Sequence, residues 1–236
     1  MRRLFIILGL SLLSWQADSA NFRDGSLTYL YGDNFKVEPA KQQTITFEYA
    51  AAWDFMDIFL FVDFKDFDNR SGRYGEFSPR FKLAEFDQDH WLKQISFSTT
   101  FERGKNDVAS NLLGVGFDFN LSNFRYLKTN LYHRDDPDIS GNGYQMTTVW
   151  AFDVKLGDMP ILIDGFYDWT FNSDEQQDNL HFNPQIKIDM QAWQGGQYKW
   201  YLGVEYDYWH NKFGIKDSPT FDTEQNTISL LAKWHF

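Results

Sequence analysis

Thr227-Ile228-Ser229-Leu230-Leu231-Ala232-Lys233-Trp234-His235-Phe236 closes the chain as an alternating segment. Ile228, Leu230, Ala232, Trp234 and Phe236 share one face of an extended segment, and Thr227, Ser229, Leu231, Lys233 and His235 share the other. A last strand whose apolar face ends on an aromatic residue is the usual finish of an outer-membrane β-barrel. The opposite terminus carries the matching export signal. Arg2 and Arg3 are followed by an apolar run from Leu4 to Leu13, then by Asp18-Ser19-Ala20 as a small-residue cleavage site. That run is too short to span a bilayer as a helix. The expected layout is a signal peptide over 1–20, cleaved after Ala20, and one barrel domain over 21–236. A retained N-terminal anchor is the alternative.

Composition narrows the class. The chain has no cysteine, which excludes a disulfide scaffold, an iron–sulfur site and a thiol enzyme. Aromatics make up 19% of residues while mean hydropathy is −0.49, and alternating lipid-facing and lumen-facing positions produce that combination. The net charge of −11 becomes one unit more negative once Arg2, Arg3 and Asp18 are lost. An acidic surface argues against a nucleic-acid polymer as partner. Solvated acidic loops account for the charge without any partner.

Beyond Ala20, segments of about ten residues with period-two patterning recur, each followed by turn residues. Strands are predicted over 24–33, 41–51, 56–66, 76–86, 91–103, 110–119, 124–133, 143–155, 161–171, 178–189, 197–210 and 223–236. The even total suits a closed antiparallel up-and-down transmembrane barrel of twelve strands. Short connections are expected near Trp53-Asp54, Asp87-Gln88-Asp89, Leu121-Ser122-Asn123, Gly157-Asp158-Met159-Pro160 and Gln194-Gly195-Gly196. Longer ones are expected at 34–40, 67–75, 104–109, 134–142, 172–177 and 211–222, outside the cell if both termini are periplasmic. A soluble β-sandwich would not need that rhythm.

Period two also assigns faces. Ile58, Leu60, Val62 and Phe64 should meet lipid, because a charge at mid-bilayer costs about 2–4 kcal/mol. Asp57, Phe59, Phe61 and Asp63 should then point inward, with Glu48 on the preceding strand. Pro79, Phe81 and Leu83 oppose Arg80 and Lys82; Ile95, Phe97, Thr99 and Phe101 oppose Ser96, Ser98 and Glu102. Tyr126, Lys128, Asn130 and Tyr132 line a seventh strand, and Asp164, Phe166 and Asp168 a ninth. Tyr201, Glu205, Asp207 and Trp209 line an eleventh, while Lys155, Lys187 and Lys199 add cations. Tyr49, Trp150, Trp169, Tyr208 and Trp234 lie near strand ends, where interfacial girdles form. Aromatic faces beside hydrogen-bonding groups suit a solute with a flat ring and a polar tail. Inward rings that merely pack inside a self-plugged barrel are the equal alternative.

Phe47-Glu48-Tyr49-Ala50-Ala51-Ala52-Trp53-Asp54-Phe55-Met56-Asp57-Ile58-Phe59-Leu60-Phe61-Val62-Asp63, followed by Ser78-Pro79-Arg80-Phe81, resembles the nucleoside-specific channel (Tsx-type) family. Phe213-Gly214-Ile215-Lys216-Asp217-Ser218 is similar to a segment of OmpK-type members. The resemblance implies a twelve-stranded monomeric barrel with a narrow pore whose aromatic and ionisable lining takes nucleosides. It maps best onto Asp57, Phe59, Phe61, Asp63 and Arg80, and it implies phage as an additional surface partner. The other expected partners are outer-membrane lipid and lipopolysaccharide, and the barrel-assembly machinery acting on Phe236. The alternatives are a poorly conducting surface barrel for adhesion or phage reception, or a channel for other small solutes.

No cofactor or metal is expected. His90, His133, His181, His210 and His235 show no metal-ligand spacing, and no Cys can join them. Asp217, Asp222 and Glu224 are the loop acids to weigh for Ca²⁺, with solvated acids the simpler reading. No nucleophile motif or phosphate loop points to an enzyme. Ser98 with His181 is the kind of chance pair any chain of this length contains.

Overall fold

The computed structural model of the chain describes residues 20–67, 70–87, 89–105, 109–136, 142–173 and 175–236. The expected signal peptide, apart from Ala20, lies outside the described residues. Twelve strands close into one antiparallel barrel: β1 (Phe22–Gly32), β2 (Gln42–Ala52), β3 (Met56–Phe67), β4 (Arg70–Glu85), β5 (Leu92–Gly104), β6 (Ala109–Phe119), β7 (Tyr126–Asp135), β8 (Asn142–Leu156), β9 (Met159–Phe171), β10 (Asn179–Asp189), β11 (Trp200–His210) and β12 (Gln225–His235). Each strand pairs with its sequence neighbours, and β1 closes on β12 with Leu30 opposite Leu231 and Ser26 opposite His235. Closure leaves no unpaired sheet edge, which is what a bilayer demands of strands. The last residue takes part: the Phe236 amide donates to Gly25 O at 2.9 Å, and its ring packs 6.4 Å from that of Phe47.

The alternation of the closing strand is realised in three dimensions. Ile228, Leu230 and Trp234 are exposed on the outer surface, whereas Thr227, Ser229, Leu231 and Lys233 are buried in the interior. The same division holds for Phe81 and Leu83 against Arg80, and for Ile186 against Asn183 and Lys187. The interior is therefore polar and the exterior apolar, as lipid on one side and water on the other require. Thr99 keeps its place in the outer set, opposite the exposed Leu113, yet it is buried, and its hydroxyl donates to Pro79 O at 3.0 Å. The β4–β5 register carries no Pro79–Thr99 pair, since proline has no N–H to give the ladder. The hydroxyl satisfies the carbonyl left over there.

Two expected connections differ. The segment 67–75, read as a long loop, is mostly strand: β3 and β4 pair out to Phe67 opposite Arg70. Its polar and glycine-rich composition looked like a turn, but ladder pairing with β3 satisfies its backbone groups. The tight turn expected at Gln194-Gly195-Gly196 is instead a short helix, α1 (Met190–Gln194), followed by 195–199. Asp189 caps it by accepting from the Ala192 amide at 2.8 Å, Met190 is buried, and Gly195 ends it at φ 78°. The connections 33–41 and 211–224 lie at the end opposite α1; these are called here the loop end and the turn end.

Gly114 marks a close approach. A Cβ there would meet the Leu131 carbonyl oxygen of β7 at 1.8 Å. Only glycine allows the two backbones this separation.

Candidate functional site

The barrel wall carries inward side chains at every second residue, so the candidate site is the lumen. Contacts between strands that are not neighbours identify the interior directly, because such side chains can meet only across it. In the turn-end half, Arg80 of β4 is buried against Asp118 of β6, and lies 3.5 Å from Asp57 of β3. Lys128 of β7 completes the group at 3.4 Å from Asp57 and 3.7 Å from Asp118. On the other arc, Lys187 of β10 pairs with Asp164 of β9 at 2.7 Å and with Gln185 at 2.8 Å. Lys233 of β12 pairs with Glu48 of β2, which also accepts from Ser26 at 2.9 Å. Each group holds two acids and two bases. Buried charges are tolerated when paired in this way.

The loop-end half is built differently. Arg134 of β7 makes a two-pronged contact with Glu102 of β5, at 2.7 and 2.8 Å, and a third with Asp136 at 2.9 Å. Four more carboxylates accept hydrogen bonds from neutral donors. Asp63 accepts from Thr46 at 2.7 Å, Glu76 from Tyr74 at 2.8 Å, Asp168 from Thr147 at 2.5 Å and Glu205 from Gln185 at 2.8 Å. Such oxygens retain acceptor capacity for solute hydroxyls.

Aromatic rings form two tracks. On β3 and β4, Phe59 and Phe61 lie 6.1 Å apart and Phe61 lies 5.8 Å from Tyr74. On β9 to β11, Phe166 meets His181 edge-on at 4.8 Å, and His181 stacks on Trp209 at 3.8 Å. His181 is held by Asp207, with Nε2 2.9 Å from Oδ1. In a twelve-strand ring β3 and β9 are six strands apart, so the two tracks stand on opposite walls. Phe59 is 39% exposed although it points inward, so its face is open within the lumen.

The sequence-derived lining residues thus fall into three places. Glu48, Asp57, Arg80, Lys128, Asp164 and Lys187 form the two ion groups. Asp63, Phe59, Phe61, Phe166, Asp168, Glu205 and Asp207 lie along or beside the aromatic tracks. Tyr132 is buried, with its hydroxyl 2.8 Å from Ser98 Oγ and 3.3 Å from Thr100 Oγ1. Tyr201 is fully buried beneath Lys187 and Lys199, whose ammonium groups lie 5.7 and 5.9 Å from its ring. Tyr126 is half exposed at the start of β7. Lys82 stands apart, paired with Glu85 at 2.7 Å at the turn-end rim, and Lys155 is exposed near the β8–β9 turn.

Tyr74, Glu76, Glu102, Asp118 and Arg134 were not among the expected site residues. Glu76 and Arg134 continue the period-two faces of Arg80 and Tyr132, so the signal was present for both. Tyr74 and Arg134 fall in segments whose composition predicts loops. The Ca²⁺ candidates are engaged elsewhere: Asp222 with Lys36 at 2.8 Å, Glu224 with His210 at 2.8 Å, and Asp217 with the Thr223 amide at 2.9 Å.

Residues 28–236 match the family model described as nucleoside-specific channel-forming protein, Tsx. No curated protein matches the sequence. Among solved structures, a KdgM porin in complex with disordered oligogalacturonate superposes with a TM-score of 0.54 at 10% identity. That alignment covers 89% of this chain and 99% of the porin. A second KdgM porin structure gives 0.54 at 9% identity, over 89% of this chain and 99% of that one. At such identity the likeness establishes the barrel fold alone.

Proposed function

As the chain belongs to the Tsx family of nucleoside-specific channel-forming proteins, we propose that nucleosides and deoxynucleosides are the solutes of this outer-membrane β-barrel channel. The observation that carries the reading is the pair of aromatic tracks on opposite walls, each bordered by carboxylates that still have acceptor capacity. Phe59, Phe61 and Tyr74 offer a base one stacking face, and Phe166, His181 and Trp209 offer another. Base–aromatic stacking is worth about 1–3 kcal/mol per base. Asp63, Glu76, Asp168 and Glu205 are spaced along the same half to accept from sugar hydroxyls. No step needs a cofactor or a bond change: passage is diffusion between weak sites, which must stay weak for the solute to leave.

Orientation follows from the same reading. The chain is exported by a signal peptide cleaved after Ala20, with the turn end in the periplasm and the loop end facing out. A solute then meets the aromatic, hydroxyl-accepting half first and the ion-paired half second. In that second half the cations and anions are already matched, so it presents little net field to an uncharged solute.

The test is current block in planar bilayers. Adenosine and thymidine at millimolar concentration should reduce ion current through the wild-type channel. Replacing Phe59 and Phe61 together by Ala should weaken the block by about 1–3 kcal/mol per lost stack, leaving ion conductance equal or higher. Absence of block in the wild-type channel would transfer the reading to another small solute. Absence of conductance would favour a surface barrel for adhesion or phage.

A further inference from the structure

The 33–41 connection does not stand out from the loop end; it folds back against the lumen wall. Its backbone is tied to the inward face of β12. The Lys36 amide donates to Gln225 Oε1 at 2.9 Å, and the Thr227 hydroxyl donates to Asn34 O at 3.1 Å. Gln225, Thr227 and Ser229 point inward, yet they are buried almost completely. The hydrogen bonds from Lys36 to Gln225 and from Thr227 to Asn34 place the loop directly over two of these side chains. The Phe35 ring lies close enough to Gly32 that a Cβ there would approach it to 2.9 Å.

One side chain fastens the loop from both sides. Glu38 reaches Lys65 on the inner face of β3 at 3.2 Å and Lys212 at 3.1 Å. Lys212 follows β11, and its ammonium also donates to Gln225 Oε1 at 2.7 Å. The Phe35, Trp209 and Phe213 rings surround that ammonium at 5.8, 5.9 and 5.0 Å. A buried cation ringed by three aromatics and facing a carboxylate is strongly held. Glu38 therefore spans the arc from β11 through β12, β1 and β2 to β3.

The loop pays a local conformational cost for this position. Val37, next to Glu38, adopts φ 68°, which a β-branched residue rarely does. Strain of that kind persists only where surrounding contacts over-determine the conformation. Here those contacts are the two lysines, Gln225 and Asn34's partners on β12.

We propose that the 33–41 loop is an inserted constriction at the outer mouth that sets the size limit of the channel, with Glu38, Lys65 and Lys212 as its positioning residues. It narrows the mouth along the arc from β11 to β3. This inference rests on the proposed function only in requiring that the barrel conducts. Its test uses no nucleoside, so its failure and that of the nucleoside reading are distinguishable.

Two variants of the full chain test it: Glu38→Gln, and replacement of 34–40 by a short Gly/Ser linker that leaves every strand intact. Folding is first confirmed by heat-modifiable electrophoretic migration. Conductance is then read in KCl, and liposome swelling is read with neutral sugars of increasing size. The linker variant should raise conductance by about twofold or more and admit sugars the wild type excludes. Glu38→Gln should fall between the two. A linker variant with wild-type conductance and size limit overturns the constriction, including the case in which neither conducts. A widened linker variant beside an unchanged Glu38→Gln overturns the positioning role of Glu38.

Discussion

Consider arginine placed at two adjacent residues of β3. Leu60 pairs across the ladder with Tyr49 and Phe77, near the middle of β3. Its neighbour Phe59 lies on the inward face with Asp57, whose contact with Lys128 crosses the interior. Leu60 therefore points to lipid. Leu60→Arg puts a guanidinium at or near the bilayer midplane, where the cost is about 2–4 kcal/mol. At about 1.4 kcal/mol per decade, that lowers the folded-to-unfolded ratio roughly thirty- to seven-hundred-fold. Phe59→Arg places the same group in a polar lumen where Phe59 has open space and Asp57 is a neighbour on the same face. Its cost should fall below about 1 kcal/mol, within the range of substitutions away from a packed core. The assay is urea titration of each variant in phospholipid vesicles, followed by tryptophan fluorescence and by heat-modifiable migration. Leu60→Arg should unfold at lower urea and Phe59→Arg near wild type. Equal shifts, or the reverse order, would refute the facing of β3 and with it the aromatic track.

Arg80→Met should destabilise the barrel by about 3–5 kcal/mol, because Asp57 and Asp118 lose a buried partner. Pairing it with Asp118→Leu should recover part of that loss in the same urea titration. Gly114→Ala should cost about 1–3 kcal/mol, since the β6 and β7 backbones must separate to admit the methyl group; an unchanged midpoint would count against the β6–β7 register. Burial pushes the Glu38 carboxyl up, but Lys65 and Lys212 outweigh it and hold the group below the ordinary glutamate value. A depressed carboxylate contributes stability that is present above its unfolded value and disappears as pH falls through the folded one. The stability difference between wild type and Glu38→Gln should therefore be steady at neutral pH and vanish only in acid; a difference that vanishes between pH 6 and 7 would contradict the pairing.

Much of this protein was legible in the order of its residues. Alternation from Asp57 to Phe64 and from Thr227 to Phe236 determined which side chains meet lipid, because period two leaves a strand only two faces. Twelve such segments, with short and long connections in turn, pointed to a closed barrel rather than a sandwich, and the β1–β12 pairing closes it. The inward position of Asp57, Phe59, Phe61 and Arg80 followed from the same arithmetic. Segments with mixed composition were harder. Residues 70–75 look like a turn, yet they extend β4 because β3 offers ladder partners to every one of them. Residues 190–194 form a helix through the Asp189 cap and the burial of Met190, neither of which alternation reports. What only the tertiary structure decided is who meets whom across the lumen. Asp57 and Lys128 are far apart in sequence and on strands that do not pair. Phe61 and Phe166 come to opposite walls only because the sheet closes on itself. Glu38 finds Lys65 and Lys212 only because a loop turns inward instead of outward. Local sequence sets a residue's face through the geometry of one strand, whereas its height and its partner depend on register, closure and loop direction summed over the whole ring.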